Sequence, residues 1–442
     1  MGEDFVSAAS VVASLARTYR SYFRNLDDPD DKSFEVESLP AAELEYPNTN
    51  ACEKFILLAP KDPDHYNPIM CLEQSLYTII ECYLTLAQKT LFGTLPNDIL
   101  SDHSPSLPPP ASPLSAPEPH GPLAPSNPPK APRDSFNSPN HLRLLQRAIH
   151  RRDGPLFLHT LDTVNHLLRT LKYPPLPSDV FLPAPPNVLI SAIKSWTPAG
   201  LPQQVLMRII DETYQRTVGP NVGKLNRYEA FSSEVYGELM PSFTSDIISA
   251  TGLTSSSLLM DLGSGVGNVL VQASLQAGCR SYGIELMQGP AEVAREQLRQ
   301  FQKRCRMWGV RMGEVELEEG DMLTSERVSE LLPQADVVLV NNKVFQQSLN
   351  EALRTRFLDL KEGAIVVSLK PFVTPNARVT ERNVDDISAI FDVVERPYRS
   401  GSVSWGSGGG TYYLHRVDRE GYANIKRRFE NSRARSIRAG RR

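Results

Sequence analysis

From Ser257 to Leu369 the chain alternates short apolar runs with stretches of helical period, and few folds tolerate that rhythm. The runs Ser257–Leu262, Arg280–Leu286, Glu314–Glu318, Asp336–Val340 and Ala364–Leu369 read as strands. Between them apolar residues recur three and four apart. Val266, Val269, Leu270, Ala273 and Ala277 follow the first strand, and Ala291, Ala294, Leu298 and Phe301 the second; shorter helical patterns lie near Ser325–Leu332 and Phe345–Leu360. Nearly continuous apolar strands need cover on both faces, so the pattern predicts an α/β fold with a largely parallel sheet. Two later segments, Ile387–Glu395 and Thr411–Val417, are suited to an edge hairpin, giving a Rossmann-like, seven-stranded sheet. Ligands of such sheets bind at the carboxyl ends of the strands.

Those ends carry the chemistry. The first strand runs into Asp261-Leu262-Gly263-Ser264-Gly265-Val266-Gly267-Asn268, an acid followed by glycines at alternate positions. Glycine admits left-handed backbone and close approach of a ligand, and the helix that follows offers unpaired N–H groups. The second strand ends at Glu285, 22 residues after Gly263, a distance at which an acid can accept ribose hydroxyls. The third is followed by Asp321-Met322, suited to an adenine edge and face, and the fourth ends in Asn341-Asn342. A dinucleotide loop would want a third glycine where Asn268 stands, and no Lys or Arg lies between Leu258 and Ala277 to meet phosphates. An adenosine joined to a zwitterionic amino-acid tail fits better, which favours S-adenosylmethionine (SAM) over NAD. The expected fold is thus a class I SAM-dependent methyltransferase with a helical N-terminal subdomain. Methyl transfer to an amine needs neutral acceptors and aromatic walls rather than a carboxylate facing the amine, and Asn341, Phe345, Trp405, Tyr412 and Tyr413 are residues of those types.

Outside the core the chain divides by composition. Residues 1–50 lean acidic, with Asp27-Asp28-Pro29-Asp30-Asp31, and read as a mostly disordered surface segment apart from a short helix near Val11–Tyr22. Residues 51–100 read as a helical segment packing on the catalytic region, its main helix over Cys71–Leu91. Residues 101–140 hold 13 prolines and read as a disordered linker. Helical periods resume over 141–235, including Gln203–Val218, and Pro241–Ala250 is a further helix. The core is expected over 236–419. Residues 420–442 form a basic tail, with eight Lys or Arg after residue 420 although the whole chain carries a formal charge of only −4. Five cysteines without a Cys-x-x-Cys pair speak against a disulfide framework or a zinc site. No apolar run reaches a membrane span, and an intracellular, soluble protein without a metal is expected.

Several short motifs in this order resemble one family. They are Val235-Tyr236-Gly237-Glu238-Leu239, the Asp261–Asn268 loop, Leu339-Val340-Asn341-Asn342, Ser402-Val403-Ser404-Trp405 and Tyr412-Tyr413-Leu414-His415. The pattern is similar to the disruptor-of-telomeric-silencing family, non-SET methyltransferases of lysine-79 on histone H3. The stretches Asp64–Pro68 and Arg151–Leu156 resemble its fungal branch. The resemblance implies transfer of methyl from SAM to that lysine in nucleosomes, a nuclear location, and roles in chromatin regulation, telomeric silencing and the DNA-damage response. The implied partners are histone H3, the core histones and DNA, the last reached through the basic tail, which could also serve as a nuclear-import signal. It also implies cofactor contacts from Tyr236, Gly237, Glu238, Leu239, Asp261, Gly263, Ser264, Gly265, Gly267, Asn268, Glu285, Asp321, Met322 and Asn341. Asn341, Phe345, Tyr413 and Tyr236 would stand around the transferring methyl and the lysine channel. Met322, where the family often has an aromatic, and Lys343, after the paired asparagines, depart from the pattern. Read without the resemblance, the residues leave open another methyl acceptor (RNA, a small molecule or another protein) or a non-catalytic chromatin-binding module.

Overall fold

The computed structural model describes residues 4–94, 140–179, 181–196, 200–221, 225, 237–374 and 387–439. The linker expected over 101–140 therefore falls almost wholly outside the described residues, as does Tyr236.

Seven strands form one sheet: β5 (Leu258–Leu262), β6 (Arg280–Glu285), β7 (Val315–Glu319), β8 (Val337–Val340), β9 (Ile365–Ser368), β10 (Phe391–Tyr398) and β11 (Gly410–Val417). Their order is β10-β11-β9-β8-β5-β6-β7. The pairs β7–β6, β6–β5, β5–β8 and β8–β9 are parallel, and β11 runs antiparallel to both β9 and β10. A parallel sheet with one reversed strand inserted near an edge is the class I methyltransferase arrangement. Strands β5, β8 and β9 are buried along their whole length, as their unbroken apolar runs require. The chain leaves β5 towards β6 on one side and later returns to β8 on the other, so a crevice opens at the carboxyl end of β5.

The first 50 residues correct the expectation of disorder. The helix Ala8–Ser14, strand β1 (Tyr19–Ser21) and strand β2 (Ala41–Glu45) are packed elements. Ala8, Val12, Leu44 and Tyr46 are fully buried, and Val11, Tyr19, Phe23 and Phe34 nearly so. The acidic run occupies one exposed turn, stapled by Asn25 Nδ2 donating to Asp31; its charge masked the apolar residues on either side. The next segment also begins as strand rather than helix. β3 (Cys52–Ile56) pairs with β2, and β4 (Leu58–Pro60) with β1. The helix then covers Pro68–Tyr83, started by Asn67 as N-cap with Pro68 behind it. Leu84 is extended, and Thr85 with Gln88 forms a capping box that starts a separate short helix, Leu86–Lys89. The single helix read over Cys71–Leu91 is thus two. The tail is likewise structured as far as it is described, a helix over Arg419–Ala439.

Helices His141–Arg151, Gly154–Lys172, Val188–Trp196 and Gln203–Thr217 make up the remaining helical subdomain. Its core is continuous with Val271 and Leu275 of the helix Asn268–Gln276 and with Phe301, Cys305, Met307 and Trp308 of the helix Gln288–Trp308. A buried ionic cluster crosses the same boundary. Glu53 on β3 meets Arg216 at 3.3 Å and also Arg304, while Arg304 and Arg216 lie 3.4 and 3.8 Å from Glu212. Burial works to raise the Glu53 pKa, but Arg216 and Arg304, with the Ala8 N–H, hold it below the ordinary carboxylate value.

Candidate functional site

The crevice is built from four strand ends and one strap. At the first end, Gly263, Gly265 and Gly267 take φ values of +93°, +54° and +80°, which L side chains rarely adopt. The N–H groups of Gly263 and Ser264 both donate to Ile284 O at 2.9 Å, folding the turn against β6. A Cβ placed on Gly263 would stand 3.7 Å from Met322 Cε and 3.8 Å from Phe345 Cζ. Those two side chains, from the loops after β7 and β8, therefore converge over the glycine turn.

Glu285 closes the end of β6. Gly265 N donates to its Oε2 at 2.8 Å and Met287 N to its Oε1 at 2.9 Å, so the carboxylate ties the glycine loop to the following helix. Asp261 lies beside it, 3% exposed. Burial first, and then the Glu285 charge, push the Asp261 carboxyl well above its ordinary range. A buried acid facing another acid is a site suited to a cationic ligand. Asp321 is exposed and caps its own turn, accepting from Leu323 N at 2.8 Å.

The strap is Gly237–Met240. It runs antiparallel to Ser402–Ser404: Met240 N donates to Ser402 O, Leu239 bridges Val403, Ser404 N donates to Glu238 O, and Glu238 N donates to Ser404 Oγ. Trp405 lies against Gly237, where a Cβ would meet its ring at 2.5 Å. Only a glycine lets the strap pass under that indole. Asn341 reaches the strap from the end of β8, its Nδ2 donating to Gly237 O at 3.2 Å. Its Oδ1 is buried without a hydrogen-bond partner among the described residues. An orphaned acceptor at this point is an unmet demand for a donor or a positively polarised group.

The paired asparagines thus divide their work. Asn342, 1% exposed, clamps the loop after β9: its Oδ1 accepts from Leu369 N and Lys370 N, and its Nδ2 donates to Lys370 O. The aromatics divide too. Tyr412 is 3% exposed and packs edge-on against Phe243, ring centres 5.2 Å apart, so it belongs to the core rather than to a channel. Tyr413 is half-buried, with its hydroxyl 3.4 Å from Thr411 Oγ1, and Trp405 is 40% exposed.

Two residues of the site escaped the sequence reading. Tyr214, on Gln203–Thr217, donates its hydroxyl to Glu238 at 3.1 Å. Gln297, on Gln288–Trp308 and 2% exposed, donates to Val266 O and to Asn268 Oδ1. A signal for Gln297 was present, since it falls on the apolar stripe between Ala294 and Phe301, where a polar side chain needs a buried partner.

Three relatives share one name, histone-lysine N-methyltransferase, H3 lysine-79 specific. The protein from Mycosarcoma maydis is 34% identical over 94% of this chain and 62% of its own length. That from Cryptococcus neoformans is 35% identical over 91% and 65%, and that from Gibberella zeae 46% identical over 48% and 43%. The chain thus spans less than two thirds of these relatives. Among solved structures, an O-methyltransferase from Bacillus cereus in complex with SAH aligns with 52% of this chain and 97% of its own at 13% identity and a TM-score of 0.30. The strand order, not that alignment, fixes the fold. Residues 214–417, which contain the strap, the glycine turn, Asn341 and Tyr413, match the family model described as histone methylation protein DOT1.

Proposed function

We propose that this chain is a SAM-dependent N-methyltransferase of lysine-79 on histone H3, acting on nucleosomes in the nucleus. The observation that carries the reading is the meeting of the glycine turn, the buried Asp261 and the orphaned Asn341 Oδ1 at one strand-end crevice of a chain that matches the DOT1 family model.

SAM would supply an electrophilic methyl on a positive sulfur. Its amino-acid tail suits Asp261, Gly263, Ser264, Gly265, Gly267 and Asn268, and the strap residues Gly237, Glu238 and Leu239 would lie over it, with Tyr236 a further cofactor contact. Its ribose suits Glu285, and its adenine Asp321 and Met322. A lysine amine has an unperturbed pKa near 10.4, so the site must favour the neutral form by desolvation and nearby positive charge. Asn341 offers an acceptor without a charge, and therefore does not hold the proton on the amine as a carboxylate would. Phe345 and Tyr413, with Trp405, provide apolar walls that exclude water.

The helix Arg419–Ala439 carries Arg419, Lys426, Arg427, Arg428, Arg433, Arg435 and Arg438 on its sequence. Lys or Arg contacts to phosphates give sequence-independent affinity that falls steeply with salt, which fits DNA beside the histone target.

Nucleosomes, free histone H3 and RNA should be offered in parallel with radiolabelled SAM. Labelling of lysine-79 in nucleosomes well above that of free H3 is expected; equal labelling of free H3, or labelling of RNA alone, overturns the reading. In the same assay, replacing Lys426, Arg427 and Arg428 by Gln should flatten the salt dependence of nucleosome binding. An unchanged slope removes DNA from the role of this helix.

A further inference from the structure

Asn268 is the first residue of the helix after the glycine turn, and its side-chain amide has two possible orientations of similar shape. What fixes one of them is Gln297. Its Nε2 lies 3.0 Å from Val266 O, a carbonyl that can only accept, so the nitrogen faces that side, and the Asn268 atom 2.8 Å from the same nitrogen must then be the oxygen, Oδ1. Its Oε1 is buried with no partner among the described residues, so nothing on that side competes for the orientation. With Asn268 Oδ1 engaged, the Asn268 Nδ2 is directed to Glu238 Oε2 at 3.0 Å. Glu238 Oε1 in turn accepts from Tyr214 OH at 3.1 Å. The polarity of the chain runs one way throughout: the Gln297 Nε2 donates to Asn268, and Asn268 in turn donates to the Glu238 carboxylate. Reversing Asn268 would set two acceptors against each other at one end and two donors at the other.

We infer that Gln297 is a positioning residue for the cofactor's amino-acid tail, acting through Asn268 by fixing its amide orientation. This rests on the SAM reading. It extends the binding machinery to the helix Gln288–Trp308, which packs against the buried side of the glycine turn through Val293 and Val266. Tyr214 joins the same chain to the helical subdomain at the far end, so the strap and the glycine turn are held to one another through two helices that pack together. The effect is specific to one part of the ligand, because Gln297 reaches only the turn and Asn268, not the ends of β6 and β7 where Glu285 and Asp321 stand.

The test compares two ligands by titration calorimetry. S-adenosylhomocysteine carries the amino-acid tail, and 5′-methylthioadenosine lacks it. Gln297→Met should weaken the first by about tenfold, of the order of losing one good hydrogen bond to a charged or polar group, and leave the second unchanged. Adding Gln297→Met to Asn268→Ala should cost nothing further, since the glutamine acts through the asparagine. Equal weakening of both ligands, no weakening of either, or additive losses in the double variant would each overturn the inference. If Gln297→Met does not fold, Gln297→Glu keeps the shape while replacing the donor by an acceptor, and the same selective loss is expected. Failure of the unaltered chain to bind S-adenosylhomocysteine would instead overturn the cofactor reading itself.

Discussion

Glu53 and Asp261 are buried to almost the same degree, 2% and 3% exposed, and they are treated in opposite ways. Glu53 accepts from Ala8 N, Tyr46 OH and the guanidinium groups of Arg216 and Arg304. Its pKa is held down in spite of burial. Asp261 faces Glu285, and its pKa is pushed well up. The first carboxylate joins β3 and two helices into one body, so its partners are supplied by the fold. The second stands where the chain turns through three left-handed glycines, and the fold gives it a neighbour of its own charge. A cluster of opposite charges marks the joint; a pair of like charges marks the crevice.

The largest effect should come from breaking the cluster of opposite charges. Glu53→Gln leaves Arg216 and Arg304 buried against a neutral amide, and removing one partner of such a cluster costs about 3–5 kcal/mol. Denaturant unfolding should show that loss without a change in the affinity for S-adenosylhomocysteine measured below the transition. A loss under about 1 kcal/mol would mean that water reaches the cluster and screens it.

His415 sharpens the comparison with a smaller effect, since it is a buried titratable group that the fold satisfies in its neutral form. Its Nε2 accepts from Phe372 N at 3.1 Å, and its Nδ1 lies 3.2 Å from Val366 O, which fixes the Nδ1–H tautomer. Burial lowers its pKa to about 4, only partly offset by the Val366 carbonyl. The folded value lies below the unfolded one near 6.5, so the unfolded chain binds more protons between them. Stability is therefore full above about pH 6.5 and falls as pH drops towards 4, by roughly 3 kcal/mol at most. His415→Gln should flatten that acid limb in a series of melting temperatures; an unchanged limb assigns it to other groups.

Much of this architecture could be read from residue order alone. The strands β5, β8 and β9 follow from nearly unbroken apolar runs and β7 from an alternating Val-Glu-Leu-Glu pattern, and the crevice follows from where those runs stop, because both are properties of local pattern. The first 50 residues were misread for the converse reason. Their order comes from pairing β1 with β4 and β2 with β3 and from burying Ala8, Val12 and Tyr46 against distant helices, and no local period announces such contacts. The same holds within the site. Asp261, Gly263 and Asn341 stand at strand ends and are found by position, whereas Gln297 and Tyr214 reach the crevice from helices 29 and 24 residues away from their partners. Tyr412 and Tyr413 are neighbours in sequence that point to opposite faces of β11, so one is core and the other is not. Residue type alone does not tell them apart.

The smallest expected effect separates the two clusters most cleanly, because it has the opposite sign. Asp261 has a folded pKa above its ordinary value, so the folded chain binds more protons than the unfolded one from about pH 4 upwards, and rising pH costs stability. Asp261→Asn removes that cost. The ligand-free variant should be more stable than the unaltered chain at pH 7, by about 1–2 kcal/mol, and its stability should vary less with pH. The same substitution takes away the charge suited to the cationic part of the cofactor, so saturating SAM should raise its melting temperature far less than it raises that of the unaltered chain. Gain without ligand and loss with ligand, in one variant, is the signature of a group kept for binding at the expense of the fold. Were Asp261→Asn to destabilise the ligand-free chain as Glu53→Gln does, Asp261 would be a structural acid with a partner, and the contrast with Glu53 would fail.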